Sequence, residues 1–344
     1  MSLEPVGQCI FCGNEGKFAY KDLTDVRFFV EGKFNLRYCT QCGLFWLDPR
    51  PSPGDISGFY EEFLKEEPVS AQEEQRYLNR PFALFRNRLR EIILCGYFGY
   101  RDIHARHDLC VLGKILGAFS FLRAKATYDF CAFFPRRNSD AEAFIVDVGA
   151  GNCLYLMLMK KYGWRVMGID PHPDSESKCR SAGIPFFKGT LEEAKLPSNS
   201  VGYLTMMHVI EHVYDPVATI NECYRVLKPG GRLLLRTPNA GSLAHMLFKC
   251  NFYSLDPPRH LFLFTPKSIS LLVQKSSFKE MRVRLLTRVS RRVYLHSLSI
   301  LKRQKIDNHT GLDYLLSSLF MFAASFLSFL GVKCAEELEL EAIK

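Results

Sequence analysis

The run Phe144-Ile145-Val146-Asp147-Val148-Gly149-Ala150-Gly151-Asn152 constrains this chain more than any other segment. It is an apolar strand that enters a glycine turn and is followed at once by a helical pattern from about Leu154 to Tyr162. A strand apolar on both faces must be covered on both faces, and parallel strands joined by crossover helices do that. From Ala143 onward apolar runs and helical stretches alternate as this requires. Glycines at the strand's carboxyl end let the backbone approach a ligand. Asp170 stands nineteen residues after Gly151, at the end of a second strand, Arg165-Val166-Met167-Gly168-Ile169. There a carboxylate can accept both hydroxyls of a ribose, so a nucleoside-bearing ligand is expected. A dinucleotide-dependent dehydrogenase is disfavoured, because Cys153 and Leu154 follow Gly151 where its GxGxxG turn needs a further glycine.

Four elements in order resemble the class I S-adenosylmethionine-dependent methyltransferases: the loop Asp147-Val148-Gly149-Ala150-Gly151, the acidic Asp170, the loop Gly189-Thr190-Leu191-Glu192, and Arg225-Val226-Leu227-Lys228-Pro229-Gly230-Gly231. The resemblance implies a Rossmann-like α/β fold, with a mostly parallel seven-stranded sheet, helices on both faces, and S-adenosylmethionine as cofactor. It places Asp147, Gly149, Ala150 and Gly151 in the cofactor loop and Asp170 and Pro171 at the ribose. Thr190 and Leu191 fall beside the adenine, and Met207 and His208 at the end of the fourth strand. Two positions depart from the pattern: Cys153 replaces a third glycine, and Gly202 replaces an Asp at the start of Val201–Met207. The runs His208 to Pro216, Thr237-Pro238-Asn239 and Asp256-Pro257-Pro258-Arg259-His260-Leu261 are similar to a subgroup that often carries an N-terminal zinc ribbon ending in Pro-Arg-Pro. That subgroup is linked to glycan or lipid modification.

Methyl transfer needs an acceptor held in line with the carbon–sulfur bond, and a base where the acceptor is a hydroxyl or carbon acid. Imidazole suits that task near neutral pH. His212 is the first candidate and His260 the second, both in loops expected at the carboxyl edge of the sheet, with His208 lining the site. Each has the alternative use of a structural histidine bonded to backbone. His208-x-x-Glu211-His212 also matches a zinc-protease pattern, but His208 ends an apolar strand and Asp215-Pro216 starts the next helix, so the two histidines do not share a helix face. Quinone-pathway O-methyltransferases carry Glu-x-x-Glu-His here and can hold a divalent cation; with His208 in place of the first Glu, a metal is not expected.

Four of the twelve cysteines form Cys9-x-x-Cys12 and Cys39-x-x-Cys42, each pair followed by glycine. This spacing predicts one tetrahedral structural Zn²⁺ site, with the alternating Val26, Phe28, Val30, Phe34 and Leu36 between the pairs reading as ribbon strands. No apolar run follows a basic start, so a cytoplasmic chain without disulfides is expected, and Cys95, Cys110 and Cys131 read as small buried hydrophobes.

The expected domains are a zinc ribbon over 1–50, a linker and basic, apolar helical segment over 51–140, and the methyltransferase domain over 141–344. Twelve Lys or Arg face four Asp or Glu between Arg76 and Arg137, within a chain of net charge +9. The segment reads as a helical cap or a membrane-surface contact. Tyr314 to Val332 contains no charge, and the apolar helix 312–332 nears the roughly 20 residues that span a bilayer. Because Glu337 to Ile343 alternates like a strand of the same sheet, this helix should pack on the domain, lie in the membrane interface or join a homodimer. The leading function is methyl transfer to a small-molecule, sugar or lipid-linked glycan acceptor at the cytoplasmic face of a membrane. RNA methylation with a zinc module and a noncatalytic cofactor-binding protein are the alternatives, with nucleic acid the weaker partner.

Overall fold

The computed structural model describes residues 2–56, 81–100, 109–119, 122, 135, 144–305 and 308–344. The N-terminal part holds β1 (Leu3–Glu4), β2 (Lys17–Leu23), β3 (Phe34–Tyr38), β4 (Phe45–Leu47) and β5 (Arg50–Pro51). Two helices follow, α1 (Pro81–Gly96) and α2 (Cys110–Ala118). Next come β6 (Phe144–Val148), α3 (Leu154–Lys161), β7 (Arg165–Asp170), α4 (Pro173–Ser181), β8 (Phe186–Lys188), β9 (Val201–Met207), α5 (Pro216–Val226) and β10 (Leu227–Pro238). The rest is α6 (Leu243–Phe248), β11 (Phe262–Leu263), α7 (Pro266–Gln274), β12 (Glu280–Leu286), α8 (Ser290–Lys302), α9 (Gly311–Phe329) and β13 (Glu337–Ile343). One seven-stranded sheet runs in the order β12-β13-β10-β9-β6-β7-β8. Strands β6, β7 and β8 are parallel, and β13 is antiparallel to both β10 and β12. This is the mostly parallel Rossmann-like sheet the sequence implies.

The chain divides into two compact units: Met1–Phe63 with Leu196–Asn199 and Thr205–Lys344, and Leu64–Lys195 with Ser200–Leu204. In the first unit β11, from far down the chain, pairs antiparallel with β4 and completes the sheet β11-β4-β3-β2, so the N-terminal residues share a sheet with a later segment. Alternation places Phe34 and Leu36 of β3 in the core with Trp46 and Leu47 of β4. The expected strand through Val26, Phe28 and Val30 is a loop. Asp25 is the reason: its carboxylate accepts the backbone N–H of Arg27, Phe28 and Val30 at 2.9, 3.1 and 3.3 Å, consuming donors that a strand would spend on a neighbour.

In β13, Leu338, Leu340 and Ala342 are buried, while Glu339 and Glu341 meet arginines from both neighbouring strands. Arg236 and Arg284 hold Glu339 at 2.8 and 3.2 Å, and Arg232 and Arg284 hold Glu341. In the second unit α1 and α2 meet at glycines. A Cβ on Gly113 would stand 1.9 Å from the Ile92 carbonyl oxygen, so no larger residue fits. Cys95 is bonded to Cys110 there, and Cys153 to Cys179, in contrast to the expectation of free thiols. Both pairs have Cα atoms at bridging separation, 5.6 and 5.5 Å. The remaining helical readings over 51–140, and Cys131, lie outside the described residues.

Glu336, just ahead of β13, is 2% exposed. Burial outweighs the donors from Ser242 and the Ala244 N–H and pushes its pKa up to about 7 from an ordinary 4.5. The folded chain therefore holds an extra proton between those values. The stability this confers is full below about pH 4.5 and is lost as pH rises through about 7. The loss amounts to about 3 kcal/mol. Glu336→Gln is expected to melt higher than the parent at pH 8 and to show a flatter dependence of melting temperature on pH from 5 to 8, measured by scanning calorimetry.

Candidate functional site

In the second unit, β6 delivers the glycine turn. Gly149 and Gly151 take φ of 75° and 50°, left-handed values that favour glycine, and the N–H of Gly149 is held by the Ile169 carbonyl at 2.8 Å. Parallel pairing of Val148 with Ile169 sets the turn beside the end of β7. Asp170 then closes the constellation: one carboxylate oxygen accepts the Gly151 N–H at 2.9 Å and the other the His172 N–H at 2.8 Å. A carboxylate has about four acceptor positions, so two remain for ligand hydroxyls. A Cβ on Gly151 would meet nothing closer than the Gly149 carbonyl oxygen at 3.9 Å, so the space over the loop is open. Asp147 and Ala150 are buried beneath it. Pro171 is exposed beyond β7. Thr190 and Glu193 bond reciprocally, at 2.8 Å from the Thr190 N–H and 3.3 Å from the Glu193 N–H, while Leu191 is buried. These residues fit a nucleoside with free ribose hydroxyls, and thus S-adenosylmethionine.

In the first unit, Met207 ends β9 and His208 follows at φ 54°, a strained value for histidine. The backbone then makes a single turn of 3₁₀-helix, Ile210–His212, before Asp215 caps α5 by accepting the Ala218 N–H at 2.9 Å. As the sequence predicts, Asp215-Pro216 starts the helix. His208 has carboxylates on both ring nitrogens, Glu211 at 3.3 Å and Glu337 at 3.0 Å. Desolvation opposes its charge, but the carboxylates of Glu211 and Glu337, the latter hydrogen-bonded to Nε2, win and raise its pKa to about 10. At neutral pH it is an imidazolium bound to two carboxylates, a poor proton acceptor.

His212 and His260 come together edge to face with ring centroids 4.7 Å apart. His212 Nδ1–H donates to the Arg259 carbonyl at 2.9 Å, and His260 Nδ1–H to the Ser254 carbonyl at 2.8 Å. Those carbonyls fix the tautomer in which each Nε2 carries the lone pair. Burial and then the neighbouring His260 lower the His212 pKa to about 4, so its ring is neutral at physiological pH. Glu211 is fully buried; one oxygen accepts the Thr237 hydroxyl at 3.0 Å and the other has no hydrogen-bond partner, only the charge of His208. Glu211, His212 and His260 offer ligand atoms within 4.8 Å of one another, close enough to share one cation. The motif by itself does not show that His260, 48 positions after His212, lies beside Glu211 and His212.

Arg259 is the residue sequence reading missed most. It is 1% exposed, with its guanidinium donating to both oxygens of Asp25 at 2.8 and 2.9 Å and to Asp256. Nothing in a single sequence links positions 25 and 259.

Parts of the chain are similar to known proteins. Residues 120–281 match the family described as a methyltransferase domain. A ubiquinone biosynthesis O-methyltransferase from Xanthomonas oryzae pv. oryzae is 36% identical over 115 residues, 30% of this chain and 48% of that protein. A malonyl-[acyl-carrier protein] O-methyltransferase from Serratia marcescens is 28% identical over 160 residues, 43% of this chain and 62% of that protein. The chain spans less than two thirds of the length of either relative. A crystal structure of a SAM dependent methyltransferase from Archaeoglobus fulgidus aligns over 59% of this chain and 86% of that one, at 20% identity and a TM-score of 0.42. Residues 120–281 thus resemble a methyltransferase domain.

Removing one partner of a buried ion pair strands the other charge. Asp25→Ala is expected to destabilise the protein by about 3 kcal/mol in urea unfolding. A loss below about 0.5 kcal/mol, the level of an exposed pair, would show that Arg259 does not depend on it.

Proposed function

We propose that this chain transfers the methyl group of S-adenosylmethionine to a hydroxyl oxygen of a small-molecule acceptor, a sugar or lipid-linked glycan among them. The observation that carries the reading is the Asp170 carboxylate, oriented by the Gly151 and His172 N–H groups at the open end of the glycine turn. When bound, the cofactor supplies an electrophilic methyl on a sulfonium. The chain's own task is to hold the nucleoside by Asp170 and the loop Gly149–Gly151, and to accept the acceptor's proton. His212 is the residue for that transfer: it is neutral and a weak base, with Nδ1 held by the Arg259 carbonyl, so Nε2 takes the proton as methyl transfer makes the acceptor oxygen strongly acidic. His260 is set in the same tautomer by Ser254. The relatives named for O-methylation favour an oxygen acceptor. Titration with S-adenosylhomocysteine in a calorimeter is expected to give saturable binding that Asp170→Ala weakens at least about 100-fold, as loss of a ligand carboxylate's charge-assisted hydrogen bonds would. His212→Ala is expected to keep that binding while cutting turnover about 100-fold or more. Unchanged binding in Asp170→Ala would overturn the assignment.

The same reading gives Cys9, Cys12, Cys39 and Cys42 one structural Zn²⁺. Their sulfurs lie within 4.8 Å of one another, with Cys9 and Cys42 at 3.4 Å and Cys12 and Cys39 at 3.4 Å. Sulfurs about 2.3 Å from one zinc ion stand about 3.8 Å apart, so the four thiols already approach that tetrahedron. Elemental analysis is expected to find zinc bound to the parent and lost in Cys39→Ser, with a lowered melting temperature in the variant. A parent that retains its melting temperature after complete zinc removal would exclude a structural role.

A further inference from the structure

Helix α9 is built inside out. Its buried stripe is Asp313, Ser317, Phe320 and Ala324, spaced one helical turn apart and containing two polar residues. The face turned to solvent carries Leu312, Leu315, Leu319, Phe322, Phe326 and Phe329, with Phe322 71% and Phe329 85% exposed. Soluble helices place such residues against the core, and an exposed apolar stripe of this size marks an interaction surface.

The surroundings say what covers it. Helices α8 and α9 run side by side in opposite directions: Lys302 at the end of α8 reaches Asp313 at the start of α9 (2.7 Å), and Thr287 just ahead of α8 reaches Ser325 in the second half of α9 (3.2 Å). Exposed cations therefore sit at both ends of the pair, Arg291 and Arg292 at one and Arg303 and Lys305 at the other. Between 287 and 333 the sequence holds seven Lys or Arg against two Asp or Glu, and one of those acids, Asp313, is buried against Lys302. A symmetric contact with a second copy would set this basic rim against itself. An anionic lipid surface takes both the apolar stripe and the rim. The helix cannot cross the bilayer once, because β12 and β13, which flank the excursion, pair with each other from Glu280–Ile343 to Leu286–Glu337. Its ends return to one sheet edge, so it lies flat.

We propose that the exposed face of α9, framed by the cations of α8 and its following loop, docks the protein in plane on an anionic membrane surface. The surface is independent of the methyl-transfer reading, and its test needs no turnover.

Sedimentation of the full chain with phosphatidylcholine vesicles, with and without phosphatidylglycerol, tests it. Binding is expected to vesicles containing phosphatidylglycerol, weaker without it and weaker at high salt. The combined Phe322→Ser, Phe326→Ser and Phe329→Ser variant is expected to lose about 100-fold or more in partitioning. Arg291→Gln with Arg292→Gln is expected to lose about 25-fold, at about fivefold per cation. Because all five positions are exposed, both variants are expected to keep the parent's melting temperature. Failure to bind phosphatidylglycerol vesicles, or equal binding by the triple serine variant, overturns the proposal. So does a dimer in analytical ultracentrifugation that the serine variant disperses while vesicles go unbound.

Discussion

The first unit depends on one buried guanidinium. Arg259 forks onto both oxygens of Asp25, bonds Asp256 and stacks its guanidinium over the Phe28 ring at 4.5 Å, while its carbonyl takes the His212 Nδ1–H. Taking such a charge out of water costs more than a single ion pair returns, so it is retained only where every donor has an acceptor. That condition ties three loops to one atom group: the loop after β2, the segment ahead of β11, and the turn that carries His212. The β11–β4 pairing and the bond between Tyr20 and His245 at 3.0 Å add to the same connection. The N-terminal cysteine cluster is therefore part of the body that holds the histidines, and the orientation of His212 is set by residues that never touch it through their own side chains.

What was legible in the sequence was what is local. The strand of β6, its glycine turn, the distance to Asp170, the Asp215-Pro216 helix start and the alternation of β13 are patterns within a few residues, and the structure has them all. The family resemblance rests on these same elements. Long-range charge was not legible, because Arg259 and Asp25 are 234 positions apart and neither has an unusual neighbour. The alternation from Val26 to Val30 looked like a strand because side-chain polarity was the only signal; the Asp25 carboxylate outbid it for the backbone donors. The same limit applies at Glu211, whose complete burial follows from packing around β10 and the loop ahead of β11 rather than from anything in its own motif.

His208 shows how neighbouring charges set the chemistry of an imidazole. With Glu211 on one ring nitrogen and Glu337 on the other, the imidazole is bound as a cation, and both carboxylates are held near pKa 2, where the His208 cation overcomes their burial. Glu337 also pairs with Arg288 at 3.0 Å, so this cluster is the end of the charge ladder that runs along β13. A left-handed backbone at His208 is the local strain that this ladder sustains.

Strand β13 comes later in the chain than both strands it separates. When β10 and β12 leave the ribosome, Arg232, Arg236 and Arg284 have no carboxylates opposite them, and both strands present open edges. The sheet cannot close edge to edge around the gap, since like charges would then face one another. The glutamates of β13 supply partners for the arginines of both strands. Slow, non-local insertion of this kind prolongs the life of aggregation-prone intermediates.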